Sequence, residues 1–138
     1  APDRREVGVT TLFVAFFGAV GVVLRYRLGL LVTGGGSGIA SSASTYEFPF
    51  ATLGINVSGT FLLSLLASWS GTGRLDPALT VGLTVGLLGG YTTFSTFGWE
   101  SLSLMRDGRV MSAILYVVSS VGLSLGAAWL AWSVVGSG

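Results

Sequence analysis

Apolar residues dominate this chain in four long runs, separated by short stretches of Gly, Pro, Ser and charged residues. Because about 20 apolar residues suffice to cross the hydrocarbon of a bilayer, the runs predict helical spans over about 7–32, 50–70, 77–105 and 110–135. Pro49 and Pro77 stand where a helix tolerates proline best, in or next to its first turn. Between the first two spans, Gly34 to Tyr46 is rich in Gly and Ser, shows no apolar period and reads as a flexible connection. Gly71 to Asp76 and Arg106-Asp107-Gly108-Arg109 read as short turns. Tyr26, Trp129 and Trp132 fall where an aromatic belt would meet the headgroups. The predicted class is therefore an all-α integral membrane protein, with the first run read as a permanent span rather than a cleaved signal.

Polar exceptions within the runs carry the chemistry. Asn56 brings two donors and an acceptor into the second span, with Thr52, Gly59, Thr60 and Ser64 within a turn or two. In the third span Gly82, Gly86 and Gly90 recur every four residues, a small-residue ridge on which another backbone can pack closely. Gly89 beside Gly90, followed by Tyr91-Thr92-Thr93-Phe94-Ser95-Thr96-Phe97, is the weakest helical stretch, since each glycine costs roughly 1 kcal/mol relative to alanine and the threonines are β-branched. A helix break is expected at this point. Non-helical backbone at membrane depth persists only inside protein or beside a polar cavity, so the break implies a site. In the fourth span Tyr116, Ser120 and Ser124 share a face at i, i+4 and i+8.

Composition narrows the choice of function. The 138 residues are 51% hydrophobic and 9% charged, with no cysteine and no histidine, and the mean hydropathy is +0.78. Disulfides, thiolate nucleophiles, Cys/His zinc sites and a histidine base are absent, and no nucleophile–base constellation of an enzyme can be assembled. No nucleic-acid partner is expected; the lipid bilayer is. With four spans, one side of the membrane would hold Arg4, Arg5 and Arg74 and the other Arg25, Arg27, Arg106 and Arg109. Three against four gives no preferred orientation under the positive-inside rule. Insertion in both orientations is expected, and with it an antiparallel dual-topology dimer whose two-fold axis lies in the membrane plane.

Four pieces of the chain resemble one family, and the resemblance covers all four spans: Gly18-Ala19-Val20-Gly21-Val22-Val23-Leu24-Arg25-Tyr26, Thr52-Leu53-Gly54-Ile55-Asn56-Val57-Ser58-Gly59-Thr60-Phe61, Gly89 to Phe97 followed by Glu100, and Tyr116-x-x-x-Ser120-x-x-x-Ser124. The family is the Fluc/CrcB fluoride channels. Departures are small: Ala51 replaces the usual glycine, and the Gly/Ser connection is long. The resemblance implies a dual-topology homodimer in the cell inner membrane or plasma membrane, with two antiparallel fluoride pores exporting toxic fluoride passively. It also implies one structural sodium ion at the dimer centre, held by backbone carbonyls of Gly89 and Thr92 from both copies. Carried over by position, Phe94 and Phe97 line the pore with ring edges, Asn56 offers an amide donor, and Tyr116, Ser120 and Ser124 form a polar track. Arg25 and Glu100 match family positions as a vestibule charge or structural charge, not as fluoride ligands. Two other classes remain open from the residues alone. A small proton-coupled multidrug exporter would need a carboxylate in mid-span, whereas Glu47, Asp76 and Asp107 lie at loops and Glu100 towards the end of span three. A non-transporting assembly subunit would use the glycine ridge and serines only for packing.

Overall fold

The computed structural model of the protein describes residues 3–34, 48–71, 73 and 75–136. Glu47, Arg74 and all of the Gly/Ser connection except Gly34 lie outside the described residues. Those described form helices α1 (Arg4–Val32), α2 (Phe50–Ser70), α3 (residues 77–91), α4 (Phe94–Arg106) and α5 (Val110–Gly136), and no strand. Helices α3 and α4 together make one span, so four helical segments are long and apolar enough to cross a membrane.

Local chemistry sets the ends. At the start of α1 the Asp3 N–H donates to Glu6 Oε2 (3.3 Å), which places an acid in the first turn where the helix dipole favours it. The Asp76 carboxylate accepts from the Leu79 N–H at 3.0 Å and caps α3, with Pro77 in the first turn. Between α4 and α5, Gly108 sits at φ 75°, a conformation that needs glycine.

Helix α1 is apolar almost all round. Only 6% of its most apolar window is buried within the chain, and Leu12, Phe16 and Leu31 are exposed. That surface suits lipid and would be insoluble in water. Among the described residues its closest packing is against α3, through the glycines of both helices. A methyl group added at Gly90 would lie 2.7 Å from the Gly18 carbonyl oxygen, one at Gly86 2.8 Å from that of Val14, and one at Gly82 2.8 Å from Phe13 Cβ. A methyl at Gly21 would run into the Leu87 carbonyl and come within 2.9 Å of the Tyr91 nitrogen. The two backbones therefore touch directly, the arrangement that small-residue ridges allow in lipid. Over Gly82–Leu88 the helix widens to π geometry, a feature the residue pattern does not foretell.

On the other side α5 packs chiefly against α2. Tyr116 is the largest fully buried side chain. Phe48 meets its ring edge-on at 5.5 Å and Phe97 lies tilted on it at 5.3 Å.

The glycine pair does not itself leave the helix. Gly89 is helical (φ −63°, ψ −38°), and Gly90 and Tyr91 continue the turn. The extended residues are Thr92 (φ −78°, ψ 158°) and Thr93 (φ −148°, ψ 115°). The physical reason is a division of labour. Gly90 is needed small so that Gly18 can approach, whereas the β-branched threonines are at ease in extended backbone.

Candidate functional site

The extended pair costs the third span its hydrogen bonds at membrane depth, and the chain replaces them in three places. Thr92 N–H still donates to the Leu88 carbonyl at 3.0 Å. Thr93 N–H, which in a continuous helix would donate to the Gly89 carbonyl, donates instead to Asn56 Oδ1 at 2.8 Å. Asn56 Nδ2 donates to the Thr93 carbonyl at 3.0 Å. One carboxamide on α2 thus satisfies both backbone groups of Thr93 from 37 residues away. The third replacement caps α4: the Thr96 N–H, which would otherwise reach the Thr92 carbonyl, donates to Thr93 Oγ1 at 3.3 Å. Both Gly89 and Thr92 carbonyls have therefore lost the donor that a continuous helix would give them.

Next to this splint lies a cavity of about 350 Å³. Asn56, Thr92, Thr93, Ser120 and Ser124 supply its polar wall, Phe94 and Phe97 its aromatic wall, and Leu63, Val121 and Leu125 much of the rest. Thr60 also borders it, but its hydroxyl is turned back to the Asn56 carbonyl at 2.7 Å. Ser120 Oγ is buried and has no hydrogen-bond partner among the described residues. A hydroxyl in this state is costly, by about 1–3 kcal/mol, unless something in the cavity accepts its proton. Phe94 and Phe97 stand 5.6 Å apart with their rings tilted by 45°. Phe94 is 84% exposed in the single chain, so the cavity is open on its side.

Of the six residues assigned to a pore, five border this cavity and Tyr116 does not. Its side chain is 0% exposed, and its hydroxyl donates to Glu100 Oε2 at 2.7 Å. Thr52 Oγ1 donates to the other carboxylate oxygen, Oε1, at 2.9 Å. Glu100 is consequently a buried group held by two hydroxyls from two different helices. Asn56 does face the cavity, but one of its amide hydrogens and its carbonyl oxygen are already engaged with Thr93. Arg25 is half-buried on α1 and forms no ion pair with a described residue. Thr52 and the Ser58–Tyr91 hydroxyl contact (3.0 Å) were not singled out as site chemistry by residue type. Thr52 lies four residues before Asn56, one turn away, which is the signal that links it to the same face.

No cluster of three or more acidic or imidazole side chains occurs among the described residues. A cation here would have to be bound by neutral oxygens. The freed carbonyls of Gly89 and Thr92 fit a hard, weakly charged ion that prefers oxygen ligands.

Residues 12–132 match the family described as CrcB-like protein, Camphor Resistance (CrcB). The fluoride-specific ion channel FluC of Geobacter sulfurreducens is 45% identical over 121 residues, covering 87% of this chain and 91% of the relative. Its counterpart from Thermus thermophilus is 41% identical over 127 residues, 91% of this chain and 94% of the relative, and that of Geotalea daltonii 39% identical over 122 residues, 88% and 92% respectively. The chain belongs to the CrcB family.

Proposed function

We propose that this protein is a multi-pass channel of the cell membrane that conducts fluoride passively, with the cavity beside the Asn56–Thr93 splint as part of its ion path. The relatives bear the name fluoride-specific ion channel. The observation that carries the reading into this chain is the buried Ser120 hydroxyl, without a partner among the described residues, on a cavity that also presents aromatic rings and neutral polar groups beside its aliphatic wall. Fluoride is small and strongly hydrated, so it enters only where donors replace its water. Hydroxyls of Ser120 and Ser124 and the remaining Asn56 amide hydrogen do so without a fixed positive charge that would trap the ion. Phe94 and Phe97 add the partial positive charge of their ring edges. Helix α4, of 13 residues, begins at this level and directs the positive end of its dipole towards the same region.

The functional unit in this reading is an antiparallel pair of identical chains. The even distribution of arginines supports it, as does Phe94, a cavity-wall residue left 84% exposed by one copy. Gly89 supports it too. Its φ of −63° does not require glycine, and a methyl there would meet nothing closer than the Thr84 oxygen at 3.8 Å. Its missing side chain is explained when a second copy and an ion approach that face. Carbonyls of Gly89 and Thr92 from both copies would hold sodium, which when bound supplies positive charge that joins the two chains. Physiologically, hydrogen fluoride entering from acidic surroundings ionises inside, and the channel lets the anion leave down its gradient.

The test is efflux from liposomes containing only this protein. Fluoride should leave rapidly and chloride should not; liposomes that release neither, or both alike, would overturn the assignment.

A further inference from the structure

Tyr91 is the last helical residue before the extended pair, and two features of α2 hold it. Its hydroxyl lies 3.0 Å from Ser58 Oγ. Ser58 has a single proton, which goes to the Ile55 carbonyl at 3.2 Å. A carbonyl can only accept, so Tyr91 O–H is the donor to Ser58. The Tyr91 ring meanwhile rests where α2 has no side chain. A methyl added to Gly59 would lie 3.0 Å from Tyr91 Cδ1 and would overlap the Thr92 methyl group. Gly59 is buried. From the opposite side, Gly21 of α1 leaves room for the Tyr91 nitrogen.

Asn56, Ser58 and Gly59 thus come from one turn of α2 and grip consecutive residues of the third span. Asn56 fixes both backbone groups of Thr93, Ser58 fixes the end of Tyr91, and Gly59 seats its ring. The peptide between them belongs to Thr92. Its carbonyl direction is set by the ψ of Thr92 and the φ of Thr93, and both neighbours are clamped.

We infer that Tyr91 is a positioning residue: through its hydrogen bond to Ser58 and its seat on Gly59 it aims the Thr92 carbonyl, and so sets how tightly the central cation is held. The inference rests on the cation reading above and assigns its tuning to a side chain that touches neither ion. It predicts a specific pattern in purified protein when sodium is varied at constant ionic strength against N-methylglucamine and the thermal unfolding midpoint is followed. A ligand that binds only the folded state stabilises it by RT ln(1 + [L]/Kd), so the midpoint starts to climb once sodium reaches its Kd and then rises with the logarithm of concentration. Tyr91→Phe and Ser58→Ala should each raise the apparent sodium Kd, read as the concentration at which the midpoint starts to climb, about five- to tenfold, equivalent to about 1–1.4 kcal/mol. The double variant should go no further than either single one. Ser58→Thr, which keeps the hydroxyl, should behave as the parent. Fluoride efflux at saturating sodium should be retained in all of them.

A latch that is merely structural would lower the midpoint equally at every sodium concentration and leave the apparent sodium Kd where it was; that result overturns the inference. Should Tyr91→Phe fail to fold, Ser58→Ala alone decides, because it leaves the ring on Gly59. If the parent protein releases fluoride selectively but shows no response to sodium, the cation reading fails and this inference with it, while the channel assignment stands.

Discussion

Asn56 has two candidate employments, serving the backbone or serving the ion, and a single substitution separates them. Asn56→Ala removes the acceptor of Thr93 N–H (2.8 Å) and the donor to its carbonyl (3.0 Å). Thr93 is only 7% exposed, so neither group has bulk water to turn to. Each buried polar group left unpaired costs about 1–3 kcal/mol, which puts the ceiling near 6 kcal/mol. The adjoining cavity of about 350 Å³ lowers the figure, because it has room and polar partners for a water molecule. A loss of about 2–3 kcal/mol is therefore expected. It should be read as a shift in the denaturant midpoint of purified protein, with fluoride efflux measured in parallel. Asn56→Leu, which fills similar volume but makes no hydrogen bond, should lose at least as much because it also keeps water out. Full stability with abolished efflux in Asn56→Ala would refute the splint and leave the amide as a ligand of the ion alone.

Ser120 should behave in the opposite way. Its buried hydroxyl has no partner to lose, so Ser120→Ala should leave the denaturant midpoint unchanged or slightly raised while slowing fluoride efflux; unaltered efflux would remove it from the path. Phe94→Ile and Phe97→Ile should both cut fluoride efflux sharply, yet differ in stability. Phe94 is 84% exposed in the chain and should cost nothing measurable in the isolated subunit fold, whereas Phe97 lies on Tyr116 at 5.3 Å and should cost about 1 kcal/mol. Equal destabilisation by the two would contradict this placement of the rings.

The four helical spans were legible because each apolar run is long and ends at a residue with a definite local preference, such as Pro77 or Gly108. The glycine ridge was legible as a close-packing surface, but not its partner, since nothing local says that Gly82, Gly86 and Gly90 would meet Phe13, Val14 and Gly18 rather than another helix. The irregular backbone falls inside the stretch marked as weakest, but at its threonines and not at its glycines. Propensity marks Gly89 and Gly90 as the weakest helix, yet packing against α1 holds them helical and displaces the extended residues to Thr92 and Thr93. Helical period correctly aligned Tyr116 with Ser120 and Ser124, but one face of a helix can serve two purposes. The larger side chain reaches into the core between Phe48 and Phe97, while the serines stop at the cavity wall. Glu100 looked peripheral because its distance from the end of the span was visible, whereas the hydroxyls that draw it inward come from 48 and 16 residues away.

The distribution of polar groups explains why so few of them remain for an ion. Thr52, Glu100 and Tyr116 satisfy one another, Asn56 and Thr93 complete the interrupted span, and Thr60, Thr84, Thr92 and Ser101 return their hydroxyls to their own helices. Each of these bonds removes a polar group from lipid, where leaving it unpaired costs several kcal/mol. What is left over is short and sorted by sign. The Gly89 and Thr92 carbonyls, stripped of their helical donors, offer negative ends at the close of α3, while the Ser120 hydroxyl and the start of α4 offer positive ends towards the cavity. A continuous third span would have cancelled the two carbonyls and the start of α4 internally. Interrupting it by two residues exposes both kinds close together along the chain, so the sodium site and the fluoride path proposed above would both rest on the same two extended threonines.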